Sequence, residues 1–163
     1  MRVYTVEFEN QAWAAADTDV DLFELTPADD KPVKILGIFL ANVGADVGDA
    51  EEEMIRLQII RGHTVSGSGG ATPTPRPLAN SGGLAAGFTA DTMNDVIATT
   101  GTVHNLFSDG WNIRVPYQMI FPALPEDMRP GAGQGNTTIL LRGHTTVADT
   151  INVSGTMFVG EEG

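Results

Sequence analysis

Val3-Tyr4-Thr5-Val6-Glu7-Phe8-Glu9 sets Tyr4, Val6 and Phe8 at alternate positions, with Thr5 and Glu7 between them. Side chains of a strand point by turns to its two faces, so this stretch reads as a half-buried β-strand. Moving outward from it, runs with alternation or β-branched enrichment recur at 20–25, 33–41, 54–61, 88–93, 103–107, 111–115, 117–121, 137–142 and 151–159. Clusters of Gly, Pro, Asn and Asp separate them, the pattern of a sandwich or barrel. Pro116 cannot donate to a ladder, so 111–121 must be two strands, a bulge or an edge.

The spacing therefore predicts an all-β chain, an antiparallel two-sheet sandwich of jelly-roll type with long Gly/Pro-rich loops and little helix. Helix is expected only at 48–54, where Glu51, Glu52 and Glu53 suit a first turn, and in a short piece near 91–97. The expected core is Tyr4, Val6, Phe8, Leu22, Ile35, Phe39, Ile55, Leu57, Ile59, Trp111, Ile113, Ile139, Leu141, Val153 and Phe158. A chain of 163 residues fits one domain over 1–163.

Two stretches have loop composition. Residues 62–87 form an extended arm in which Ser66-Gly67-Ser68-Gly69-Gly70, read as flexible, leads into the stiff Thr72-Pro73-Thr74-Pro75-Arg76-Pro77. Residues 124–136 carry the Gly131-Ala132-Gly133-Gln134-Gly135 run. Loops of this length usually carry function or docking.

Nine Lys and Arg against 21 Asp and Glu leave a net charge of −12, which repels phosphate backbones and anionic membranes. No nucleic-acid or membrane partner is expected. The first ten residues lack the apolar core of a signal peptide, and the longest apolar run, near 35–43, is far below the ~20 residues a membrane helix needs. Synthesis in a cytoplasm is the resulting expectation, and the sequons at Asn136 and Asn152 read as chance. Cysteine is absent, which removes disulfides, thiolate nucleophiles and Cys-based zinc sites.

The motifs of common chemistry fail on inspection. Asp17, Asp19 and Asp21 hold the first, third and fifth positions of a calcium loop, yet Leu22 stands where glycine must turn and Ala28 where glutamate must chelate. A solvated acidic turn is the simpler reading. Asp46, Asp49 and Glu51 to Glu53 could bind a divalent ion between subunits, but read more simply as a solubilising surface or a helix N-terminus. The glycine run lacks a third glycine at 136 and a following helix, and neither Lys31 nor Lys34 sits in a phosphate loop. Gly-x-Ser-x-Gly and His-Glu-x-x-His are missing. His63, His104 and His144 lie scattered, so no metal or other cofactor is expected, although paired carboxylates that meet only in space stay open. Arg-Gly-His-Thr ends both 59–64 and 140–145, which reads as two equivalent strand exits or a shared site at one end of the sandwich. Trp13, Trp111, Tyr4 and Tyr117 read as core or, alternatively, as a sugar-stacking platform.

Taken in order, Pro27-Ala28-Asp29-Asp30-Lys31-Pro32-Val33, Asp49-Ala50-Glu51-Glu52-Glu53-Met54-Ile55-Arg56, the Ser66 to Gly70 run with Pro73-x-Pro75-Arg76-Pro77, Asn136-Thr137-Thr138-Ile139-Leu140-Leu141-Arg142 and Ser154-Gly155-Thr156-Met157-Phe158-Val159-Gly160-Glu161-Glu162 carry a resemblance. Over nearly its full length the chain resembles the small acidic head and decoration (cement) proteins of tailed bacteriophages. That resemblance implies a non-enzymatic virion protein on the capsid surface, a homotrimer that bridges subunits of the major capsid protein. It transfers no catalytic residues. The alternative from a different class is a carbohydrate- or receptor-binding sandwich on a virion surface.

Thr72, Pro73, Pro75, Arg76 and Pro77 are the candidate partner-binding residues. Three prolines in six positions keep 71–78 out of a sheet interior, and a guanidinium on a rigid spine suits capture of a partner carboxylate. The competing reading has the arm drape over its own sandwich, burying Leu78 and leaving Arg76 in solvent.

Overall fold

The computed structural model describes residues 1–44, 54–79, 83–121, 125, 129–132 and 137–163. Among the described residues eleven strands follow one another: β1 (Arg2–Trp13), β2 (Asp19–Thr26), β3 (Val33–Asn42), β4 (Met54–Val65), β5 (Arg76–Pro77), β6 (Thr89–Asn94), β7 (Thr99–Asn112), β8 (Tyr117–Ile120), β9 (Gly131–Ala132), β10 (Ile139–His144) and β11 (Ile151–Glu161). One sheet runs β5-β1-β11-β3-β8 with β9 also on β3, and the other runs β6-β2-β10-β4-β7. Every pairing is antiparallel.

Setting aside the short β5 and β9 and the added edge β6, the pairings nest. The first strand pairs with the last (β1 and β11), the second with the next to last (β2 and β10), then β3 with β8 and β4 with β7. A single long hairpin rolled into two sheets gives this order, which is the jelly roll. The sheets face each other across one core in which Tyr4, Val6, Phe8, Ile35, Ile38, Val153, Met157 and Val159 meet Leu22, Ile55, Leu57, Ile59, Trp111, Ile139 and Leu141.

Several expectations need correction. The 91–97 piece is not helical, since Asp91 to Asn94 lie in β6 paired with β2, and no helix occurs among the described residues. Residues 48–53 and the acids within them lie outside the described residues, as does Asp46, while Met54 opens β4. The run 103–107 and the first two residues of 111–115 belong to one strand, β7, which turns after Asn112, so Ile113 is only half-buried against the core. Within the supposed loop 124–136, Gly131 and Ala132 pair with Lys34 and Val33.

Phe39 and Phe158 are outside the core. Phe158 pairs with Gly37 but Val159 with Ile35, so Leu36 is an extra residue on β3. Ahead of this bulge the odd positions Val33 and Ile35 face inward, and beyond it the even positions Ile38 and Leu40 do. The change of parity sends Phe39 to the outer face. There it meets Phe158 edge to face at 5.6 Å, on a strand whose odd positions Val153, Met157 and Val159 are the buried ones.

Candidate functional site

The arm closes one side of the sandwich. Its Gly/Ser run is fixed, contrary to its composition: Ser68 bridges to Val96, and Ala71 exchanges backbone hydrogen bonds with Thr92 of β6 at 2.8 and 3.0 Å. Glu24 of β2, 1% exposed, holds the run from beneath. Its carboxylate accepts from Ser66 Oγ (2.5 Å), Gly67 N (2.9 Å) and Asn94 Nδ2 (3.2 Å). A Cβ on Gly70 would collide with Thr92 O, so only glycine lets the run lie this close.

Beyond Ala71 the chain crosses from one sheet to the other. Thr72 Oγ1 donates to Asp91 Oδ1 at 2.6 Å, Pro73 and Pro75 are half-buried, and Thr72, Thr74 and Arg76 point to solvent. Arg76 and Pro77 then pair with Thr5 and Tyr4 as the edge strand β5, and Leu78 N donates to Val3 O at 2.9 Å. An edge is the one sheet position that proline tolerates. The strap is thus an intrachain element, as the draping reading expects, but Leu78 is 58% exposed instead of buried. With Met1, Val3, Pro77 and Leu84 it lines an open groove of about 690 Å³, with Arg2 also in its wall. Tyr4 Oη donates to Leu84 O at 3.1 Å, and Gly87 N to Glu161 Oε1 at 2.5 Å, which holds the returning segment.

The acidic turn is only partly solvated. Asp21 is fully buried and receives Arg142 Nε at 2.5 Å and Nη2 at 3.0 Å; it also accepts from Ala98 N, while Arg142 Nη2 donates to Ala98 O. The pair satisfies both polar groups of one loop residue and fastens the 94–98 segment on β2 and β10.

The two Arg-Gly-His-Thr exits do not converge. They end β4 and β10, which are antiparallel neighbours with Arg61 opposite Ile139 and Arg142 opposite Gln58, so the exits point to opposite ends of the sheet. No group of three metal-ligating side chains occurs among the described residues. His63 Nδ1 faces Thr100 O at 3.2 Å, and His144 Nδ1 faces Asp19 Oδ1 at 3.1 Å; the Nε2 of each is buried without a partner. The sugar-stacking platform is also ruled out, because Tyr4, Trp13, Trp111 and Tyr117 are all core residues. Trp13 Nε1 donates to Asp17 O, Trp111 Nε1 to Val115 O, and Tyr117 Oη to Asp109 Oδ2. Burial, aided by the Asp109 carboxylate, raises the Tyr117 hydroxyl well above its ordinary pKa.

Burial also lowers the His144 pKa from its ordinary 6.5, and Arg56 and Arg142 act the same way, against the pull of Asp19. With the folded value below the unfolded one, the unfolded chain binds the proton first. Stability is then full above pH 6.5 and falls as pH drops from there through the folded value. Denaturation midpoints measured between pH 7.5 and 5 should fall less steeply in His144→Gln than in the parent. Equal slopes would show that His144 does not contribute.

No family model matches this chain, and no curated protein does. Among solved structures it matches a chain described as "Structure of infectious bursal disease virus Gx strain" at 15% identity and a TM-score of 0.21, covering 98% of this chain and 41% of that one. This chain thus spans less than half of that one's length, and a likeness of that size carries no argument about role.

Proposed function

We propose that this chain is a non-enzymatic capsid decoration protein of a tailed bacteriophage, which assembles as a trimer and adheres to major capsid subunits through its strap. The observation that supports the reading best is the groove of Met1, Arg2, Val3, Pro77, Leu78 and Leu84, with the exposed Arg76 preceding Pro77 on the same short strand. Leu78 and Leu84 stay 58% and 61% exposed, Leu78 on a frame fixed by backbone pairing and Leu84 held at its carbonyl by the Tyr4 hydroxyl, so little ordering entropy opposes docking. The two arginines favour an acidic shell surface, and Arg76 supplies the geometry for bidentate carboxylate capture.

Arg76→Glu should weaken co-sedimentation with shells of the major capsid protein by about tenfold, the effect of one lost charge-assisted contact. Leu78→Asp combined with Leu84→Asp should abolish it. Both variants should melt within about 2 °C of the parent, because the altered side chains are exposed. Shell binding unchanged in both variants would overturn the strap as the contact. A monomer in light scattering would overturn the trimer.

A further inference from the structure

We propose that the outer face of the β1-β11-β3-β8 sheet binds a neutral saccharide chain. Strand register places four side chains in one row across that sheet: Glu7 opposite Thr156, Thr156 opposite Phe39, and Phe39 opposite Gln118. Adjacent strands lie about 4.8 Å apart, so the row spans about 14 Å, long enough for more than one sugar ring. It forms the floor of an open concavity of about 570 Å³, with Glu9, Ala41, Pro116 and Ser154 along its rim. That volume is within the range of small-molecule sites.

The row has the mixed chemistry of a pyranose. Such a ring presents C–H groups on its faces and hydroxyls around its edge. Phe39 offers an aromatic surface braced by its T-shaped contact with Phe158, and the negative face of its ring attracts polarised C–H groups. Glu7 accepts hydrogen bonds, whereas Thr156 and Gln118 both donate and accept, as hydroxyls require. Among the described residues no hydrogen bond or ion pair engages the side chains of Glu7, Thr156 or Gln118, so all three are free for a ligand.

Charge narrows the ligand class. The walls carry Glu7 and Glu9 and no basic residue, so an acidic polysaccharide or a phosphate would be repelled. The bulge at Leu36 is what makes the site, since without it Phe39 would face the core and the row would lose its platform. This face is separate from the Leu78 and Leu84 groove, and variants there leave the row unchanged.

The test is titration calorimetry, with saturation-transfer NMR, on the full chain against cellohexaose, mannohexaose and chitohexaose. Digalacturonate and pentalysine serve as charged controls. At least one neutral hexasaccharide should bind with a Kd of about 0.1–1 mM, typical of a shallow, partly wet site. Phe39→Ala should weaken it about tenfold and Gln118→Ala about threefold, while Phe39→Tyr, which keeps the ring, should retain binding. The idea is overturned if no neutral sugar binds at about 5 mM, if binding survives Phe39→Ala and Gln118→Ala together, or if pentalysine alone binds.

Discussion

Arg142→Met should lower the unfolding free energy by about 3–5 kcal/mol, the largest single effect expected on the second sheet. The substitution leaves the Asp21 carboxylate fully buried, facing Ala98 N but with no positive partner, and leaves Ala98 O without its donor. An uncompensated charge in a low-dielectric interior costs several kcal/mol, far more than the loss of a partly exposed ion pair such as Lys34 with Glu162. For a chain of this size the melting temperature should drop by about 6–20 °C. Asp21→Leu together with Arg142→Met should recover only part of the loss. It removes both charges, but Ala98 N and O are then both unpaired, at about 1–3 kcal/mol each. Chemical denaturation of the two variants checks this, and a double variant as stable as the parent would show that the Ala98 contacts carry nothing.

Trp13→Ala is the second large effect, at about 3–5 kcal/mol. The indole is fully buried at the end of β1, with Nε1 bonded to Asp17 O at 3.3 Å, and its six-membered ring rests directly on Gly143 of β10. A Cβ at Gly143 would overlap the ring, and the ring is rigid. Gly143→Ala should therefore destabilise by about 1–3 kcal/mol through overpacking, although alanine is otherwise the smallest change available. In Trp13→Ala the same glycine substitution fills part of the cavity and should become neutral or favourable. A double-mutant cycle by urea denaturation reads that reversal of sign, and additivity would rule out the packing account.

The sandwich itself was legible because each strand shows its faces locally. The alternation of Tyr4, Val6 and Phe8 needs no knowledge of a partner strand, and Pro116 does separate β7 from β8. What escaped depends on distant residues. The parity change at Leu36 is visible only once β3 is laid against β11, so Phe39 read as core. Pinning of Ser66 to Ala71 depends on Glu24, about forty positions earlier. A signal for it existed: Asp21 and Glu24 sit inside the otherwise apolar 20–25 run, and carboxylates in a strand buried on both faces must find partners. The candidate strap was found from proline content alone, but its attachment to Tyr4 and Thr5 was not, since two paired residues leave no periodicity to read.

The nested pairing also sets when this protein can finish folding. β11 lies between β1 and β3, so the middle of the first sheet is made from residues 151–161, which are synthesised after the other described strands. Until they leave the ribosome, β1 and β3 have no common neighbour, and Tyr4, Val6 and Phe8 wait without the strand that covers their flank. The inner pair β4 and β7 can close early, whereas the outermost joins the first and last of the described strands and must bear the largest loop-closure entropy. The first sheet is completed only when β11 becomes available, and a nascent chain stalled before residue 151 should remain sensitive to protease along β1.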